Sequence, residues 1–226
     1  MPNWYDFGDC PYLEYYEALE YEDARFYYSK STWDNIIVLY HWNAGSACNR
    51  HIYKESFEEI WDSFLINEYP WYWWDWQSSS KEKILKSVNS IKKFIDDNNY
   101  TKITVLWESL WSWPASYQSK ISNVNNLVLI SPFDSSLNIA KDLYPIFPVE
   151  LLFTENYDNI KYLSNYTWDL HILHWDNDNI INPSYSKNLY ESFWLGNKSY
   201  NLIESAWHND LFFYEDFWQK LEYLIK

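Results

Sequence analysis

Short unbroken apolar runs alternate along the chain with longer stretches in which apolar residues recur every three or four positions. The runs 35–40, 64–68, 102–106, 126–130, 170–173 and 199–203 predict β-strands. Two of them, Ile36-Ile37-Val38-Leu39 and Leu127-Val128-Leu129-Ile130, show no polar alternation, as strands buried on both faces do not. Between strands, Ile84, Leu85, Val88, Ile91, Phe94 and Ile95 fall at helical spacing and predict a helix over 81–96. Ser80 stands before it as an N-cap, with Lys83 rather than Glu at the third position, so a cap is expected without a capping box. Further helices are expected over 136–143, 184–193 and 210–225. This alternation implies an α/β protein with a mostly parallel central sheet and helices on both faces.

Two regions fit the alternation less well. Residues 1–34, rich in Tyr and acidic side chains, read as one or two antiparallel edge strands. Residues 144–163 contain Pro145 and Pro148 and are expected to form a rim or, at most, a small lid. Residues 1–226 read as one domain.

Composition narrows the partners. The chain has 17 basic and 32 acidic residues, a formal charge of −15, and 47% apolar residues. An acidic surface opposes binding to a phosphate backbone, so no nucleic-acid partner is expected. No apolar run approaches the ~20 residues needed to span a bilayer, so no transmembrane segment is expected. The first residues carry no basic segment followed by an apolar core, so a secretory signal is not expected and the cytoplasm is the expected location. Cys10 and Cys48 are too few for a disulfide scaffold. Their pairing is left open by the sequence, and two free thiols are the expectation in a reducing compartment.

One compositional feature changes the reading of the motifs. The chain has 16 Trp and 3 Gly, where a chain of this length carries about 16 Gly at the average usage of ~7%. The stretch Trp107-Glu108-Ser109-Leu110-Trp111-Ser112-Trp113-Pro114-Ala115 becomes G-E-S-L-G-S-G-P-A when Trp107, Trp111 and Trp113 are replaced by glycine. The codon UGA is read as tryptophan in one variant genetic code and as glycine in a rarer one. A glycine-reading gene translated with the tryptophan table would give this exchange.

The substituted stretch is a nucleophile elbow of the G-x-S-x-G type. A serine hydroxyl is a weak nucleophile and has to be held proud of the sheet within reach of a base. A strained strand-to-helix turn achieves this for Ser109. Glycines flank such a serine because its neighbours pack closely, and the indoles of Trp107 and Trp111 are expected to displace the turn. The loop Tyr40-His41-Trp42-Asn43-Ala44-Gly45-Ser46 becomes H-G-N-A-G-S with Trp42 as glycine, a loop that supplies an oxyanion-hole amide. The donors assigned are the backbone N–H groups of Asn43 and Leu110, and His41 is expected to organise the loop. In His174-Trp175-Asp176-Asn177-Asp178, Asp178 is the expected triad carboxylate, with Asp176 as fallback. A calcium loop is the other reading of this acidic stretch, but it lacks the Gly and terminal Glu of an EF-hand. His208, in Ala206-Trp207-His208-Asn209-Asp210, is the expected general base. His51 and His171 read as surface or packing residues.

The order Ser109, Asp178, His208 is that of α/β-hydrolases. With the loop at His41, Tyr69-Pro70-Trp71-Tyr72-Trp73 and Ser131-Pro132-Phe133, it resembles the small serine hydrolases of that fold with an H-G-N-A-G loop: esterases, monoacylglycerol-lipase-like enzymes and depalmitoylases. The resemblance runs from about residue 35 onward. It implies a serine hydrolase acting on a carboxylic ester or thioester of a small or lipid-like acyl substrate, through Ser109, Asp178 and His208, with no cofactor and no metal. If the tryptophans are genuine, a non-catalytic binding protein of the same fold is the alternative. A third reading takes the aromatic residues of 71–76 as a platform for sugars or single strands, and the acidity of the chain opposes the latter.

Overall fold

The computed structural model describes residues 7–41, 45–53, 62–69, 80–109, 112–153, 156–208, 210 and 213–226. Eight strands form one sheet: β1 (Glu17–Tyr21), β2 (Ala24–Ser29), β3 (Asn35–Tyr40), β4 (Ser63–Glu68), β5 (Lys102–Glu108), β6 (Asn126–Ile130), β7 (Asp169–Trp175) and β8 (Lys198–Ile203). Their spatial order is β1-β2-β4-β3-β5-β6-β7-β8. Pairing is antiparallel for β1 with β2 and for β2 with β4, and parallel elsewhere. All six runs read from the sequence are strands. β3 and β6 have the expected bounds, β5 runs two residues further than the pattern showed, and β7 starts one residue earlier and ends two later.

The side-chain alternation of the strands builds two cores. Ile36, Val38 and Tyr40 of β3 and Val105 and Trp107 of β5 face one layer, with Val88, Ile91 and Phe94 of α1 (Lys81–Asp97). Ile37 and Leu39 of β3 and Leu106 of β5 face the other, with Phe217, Leu221 and Ile225 of α7 (Glu215–Ile225). Residues two apart on a strand share a face, so an uninterrupted apolar run is what a sheet covered on both sides requires. α1 begins as expected, with the Ser80 hydroxyl accepting from the Lys83 amide at 3.3 Å. The remaining helices are α2 (Trp113–Ile121), α3 (Ser136–Leu143), α4 (Val149–Leu152), α5 (Asn159–Leu163) and α6 (Pro183–Ser192). α7 starts five residues later than its periodicity suggested. Asp210 instead bonds back to Trp207 O through its N–H at 3.0 Å, ahead of the helix. No helix among the described residues is long and apolar enough to cross a membrane.

The expectation of two free thiols is overturned. Cys10 and Cys48 form a disulfide with Cα atoms 5.5 Å apart. The 38-residue separation conceals their proximity. The segment before β1 folds back over the turn Ala47–Arg50, where Tyr12 stacks on His51 at 4.4 Å and the Gly8 amide donates to Tyr27 Oη at 2.9 Å. Such bonds persist in oxidising compartments, so the cytoplasmic expectation loses the support it drew from free thiols. Closing a loop of this length restricts the unfolded chain by about 3–4 kcal/mol. The Cys10→Ser/Cys48→Ser variant is expected to lose about that much stability in urea denaturation. Reductant is expected to destabilise the native chain similarly and leave the variant unaffected.

Candidate functional site

Three loops at the carboxyl ends of parallel strands converge. Ser109 follows β5 directly and has φ of 69°. This left-handed conformation costs a non-glycine residue on the order of 1–3 kcal/mol and is retained where the surroundings enforce it. The next two residues, including Leu110, lie outside the described set. Ser112 then closes the turn, its amide bonded to Ser109 O at 3.2 Å, and α2 starts at Trp113 with Pro114 in its first turn. His208 comes from the loop after β8, which bends at Ser205 (φ 59°) and is fastened there by Tyr214 Oη donating to Ser205 O at 2.7 Å. Asp178 comes from the loop after β7.

These three residues form one hydrogen-bonded chain. Ser109 Oγ lies 2.6 Å from His208 Nε2, and His208 Nδ1 lies 2.6 Å from Asp178 Oδ2. All three are buried. The other carboxylate oxygen, Oδ1, accepts from the amides of Ile180 at 2.9 Å and Ile181 at 2.8 Å. Burial by itself would raise the Asp178 pKa. Hydrogen bonds from His174 and His208, the charge of His208 and the Ile181 amide outweigh it and hold the carboxyl well below the usual carboxylate range. Asp176, the fallback, is exposed and accepts from Asn177.

Other singled-out residues lie elsewhere. Asn43, like Leu110, falls outside the described residues, as do Trp42, Trp111 and the whole aromatic stretch 71–76. At the described end of the first loop, Gly45 has φ of 83°, and a Cβ there would meet Asn49 Oδ1 at 2.7 Å. His41 is buried, 3.7 Å from Glu68 and edge-on to Tyr69. His171 is partly buried against Ser199 Oγ at 2.8 Å, and burial lowers its pKa. Among the described residues, no three His, Cys, Asp or Glu side chains are grouped to hold a metal ion.

Sequence reading missed the support of the site. Glu108, beside Ser109, is buried and accepts from Arg50 Nε at 2.9 Å and from Tyr53 Oη. This ties the nucleophile turn to the segment after the first loop, the same segment that carries Cys48. Removing one partner of such a buried ion pair costs about 3–5 kcal/mol, so the pair locks the two loops together. The signal was a charged residue inside the elbow, whose partner 58 positions away no local pattern reveals.

The steric expectation for Trp107 concerned a turn of which Leu110 and Trp111 lie outside the described residues. The Trp107 indole is fully buried, stacks on Tyr40 with ring centroids 5.4 Å apart, and donates from Nε1 to Ser109 O at 3.2 Å. It packs in the α1 layer while its N–H reaches the carbonyl of Ser109, whose left-handed conformation is kept beside it. Trp113 and Trp175 are also buried, against Tyr157 and Phe217.

No protein-family model matches the sequence, and no curated protein matches it. Solved structures do. Esterase Pf2001 of Pyrococcus furiosus is similar with a TM-score of 0.76 at 14% identity, over 99% of this chain and 97% of that one. Est1E of Butyrivibrio proteoclasticus gives 0.68 at 15%, over 92% and 99%. A monoacylglycerol lipase of Paleococcus ferrophilus gives 0.66 at 16%, over 89% and 98%. The chain has the α/β-hydrolase fold. In α/β-hydrolases the ligand crevice lies outside the carboxyl ends of the parallel strands, which is where Ser109, Asp178 and His208 meet.

The depressed Asp178 pKa gives stability a pH dependence of fixed sign. A carboxyl lowered in the folded state contributes stability above its unfolded pKa of about 3.9, and that contribution is lost as pH falls toward the folded value. The difference in thermal stability between wild type and Asp178→Asn is expected to be widest near neutral pH and to narrow below about pH 4. Melting curves from pH 7 to pH 3 measure it. A constant difference would contradict the assignment.

Proposed function

We propose that the chain is a serine hydrolase that cleaves a carboxylic ester or thioester. The observation that carries this reading is the continuous chain from Ser109 Oγ through His208 to Asp178, with 2.6 Å at each link. In the reaction His208 Nε2 takes the Ser109 proton as Oγ attacks the substrate carbonyl carbon. The same imidazole then protonates the leaving alcohol or thiol, and an acyl-enzyme remains on Ser109. Water, deprotonated by His208, resolves that ester and restores the serine. Asp178 fixes the imidazole tautomer and stabilises the imidazolium. The amides of Asn43 and Leu110 receive the developing oxyanion, each worth on the order of 3 kcal/mol.

A lipid-like acyl group suits the segment between α3 and α5. Leu143, Tyr144, Ile146, Phe147 and Leu151 are exposed there. Asn159 of α5 donates to Ser112 Oγ at 2.7 Å, which anchors this segment beside the nucleophile turn. The chemistry calls for no cofactor or metal. One sheet running from β1 to β8 supports residues 1–226 acting as one domain.

Hydrolysis of p-nitrophenyl esters and acyl-thioesters tests the reading. Ser109→Ala is expected to lower kcat by on the order of 10⁴ or more without unfolding the protein. A folded wild type inert toward the whole panel would favour the non-catalytic binding protein instead, the alternative that the well-accommodated Trp107 indole supports.

We also infer that the tryptophans of the elbow and loops stand for UGA codons meaning glycine. The exchanged Trp and Gly counts support this. So do the indole N–H groups of Trp113 and Trp175, buried with no hydrogen-bond partner among the described residues, each a deficit of about 1–3 kcal/mol. UGA at codons 42, 107 and 111 of the gene is the expected result, and UGG there would overturn it.

A further inference from the structure

Asp178 is approached by two imidazoles, and the reaction proposed above uses only one. His174 lies on β7, four residues before Asp178, and is fully buried. Its Nε2 is 2.9 Å from Ile181 O and 3.3 Å from Asp178 Oδ2. A backbone carbonyl and an ionised carboxylate are both acceptors, so Nε2 carries the proton. Nδ1 is buried with no hydrogen-bond partner among the described residues. An unprotonated Nδ1 leaves only a bare lone pair, whereas a proton there would be a buried donor with nothing to receive it, the rarer deficit in folded proteins. The ring is therefore the neutral Nε2–H tautomer.

Ile181 closes the arrangement. Its amide donates to Asp178 Oδ1 at 2.8 Å while its carbonyl faces His174 Nε2. His174 thus touches the carboxylate and the loop that cradles it, and it comes from β7, a strand paired on both sides by β6 and β8, not from a loop. Two amides hold Oδ1, and His174 shares Oδ2 with His208. The carboxylate is left with one orientation, in which Oδ2 meets His208 Nδ1.

We propose that His174 is a positioning residue for the Asp178–His208 pair, its neutral imidazole locking the carboxylate in the orientation that aligns His208 with Ser109. This rests on the triad reading above. His174→Phe keeps a planar ring in the buried position and removes the donor. His174→Gln keeps an N–H that reaches the same acceptors. With a p-nitrophenyl ester, His174→Phe is expected to lower kcat by on the order of 10–100-fold, the scale of a slight misplacement of reacting groups, with KM within about twofold of wild type. His174→Gln is expected to recover most of the loss. A folded His174→Phe with wild-type kcat, a change confined to KM, or a Gln variant no better than Phe would overturn the proposal.

Nitrogen-15 imidazole spectra of the wild-type protein provide a second reading that no folding defect can obscure. At pH 7 His174 is expected as the neutral Nε2–H form, and an Nδ1–H tautomer or a charged ring would overturn the proposal. The two failures separate cleanly. Wild type that neither turns over esters nor reacts at Ser109 with a fluorophosphonate sinks the triad reading. An active wild type indifferent to His174→Phe sinks only the role of His174.

Discussion

A carboxylate taken out of water must replace its hydration shell with donors, or it neutralises or destabilises the fold. Asp178 meets this constraint with two backbone amides on one oxygen and two imidazoles facing the other. Each donor comes from a different level of the structure. The amides belong to the loop after β7 that also carries Asp178, His174 to β7 itself, and His208 to the loop after the last strand. The carboxylate can therefore be satisfied only when β7 and β8 are paired and both loops are closed. The strained Ser109 turn is the other half of the same construction, held by the Arg50–Glu108 pair beneath it.

Much of this was readable in the sequence because the governing patterns are local. The strands at 35–40 and 126–130 are unbroken apolar runs, and burial on both faces demands that wherever such a strand lies. The helix over 81–96 declared itself by its apolar stripe and Ser80. Ser109, Asp178 and His208 stood out because each follows a strand and because their order along the chain resembles that of α/β-hydrolases. Of the two carboxyls that the acidic stretch offered, the structure buries Asp178 and leaves Asp176 exposed.

What escaped the sequence was long-range pairing. Nothing local to Cys10 or Cys48 says that the segment before β1 crosses over the turn after β3, and nothing near Glu108 names Arg50. His174 was visible as a residue but not as a partner of Asp178, since four residues across a strand end and a turn define no fixed geometry. The start of α7 at Glu215 was placed too early because apolar residues continue ahead of it from residue 211.

The tryptophans show how far a steric argument from sequence extends. A bulky residue beside a tight turn is excluded only if its side chain points into the turn. Trp107 packs against Tyr40, and its N–H is taken up by the carbonyl of Ser109. The cost emerges instead as polarity: buried indole N–H groups at Trp113 and Trp175 lack acceptors among the described residues.

The most direct test of the proposed chemistry is to locate a covalent adduct. Wild-type protein treated with a fluorophosphonate, digested and mapped by mass spectrometry is expected to carry the modification on Ser109, and His208→Ala is expected to abolish it. A folded protein left unmodified, or an adduct on a different serine, would contradict the account.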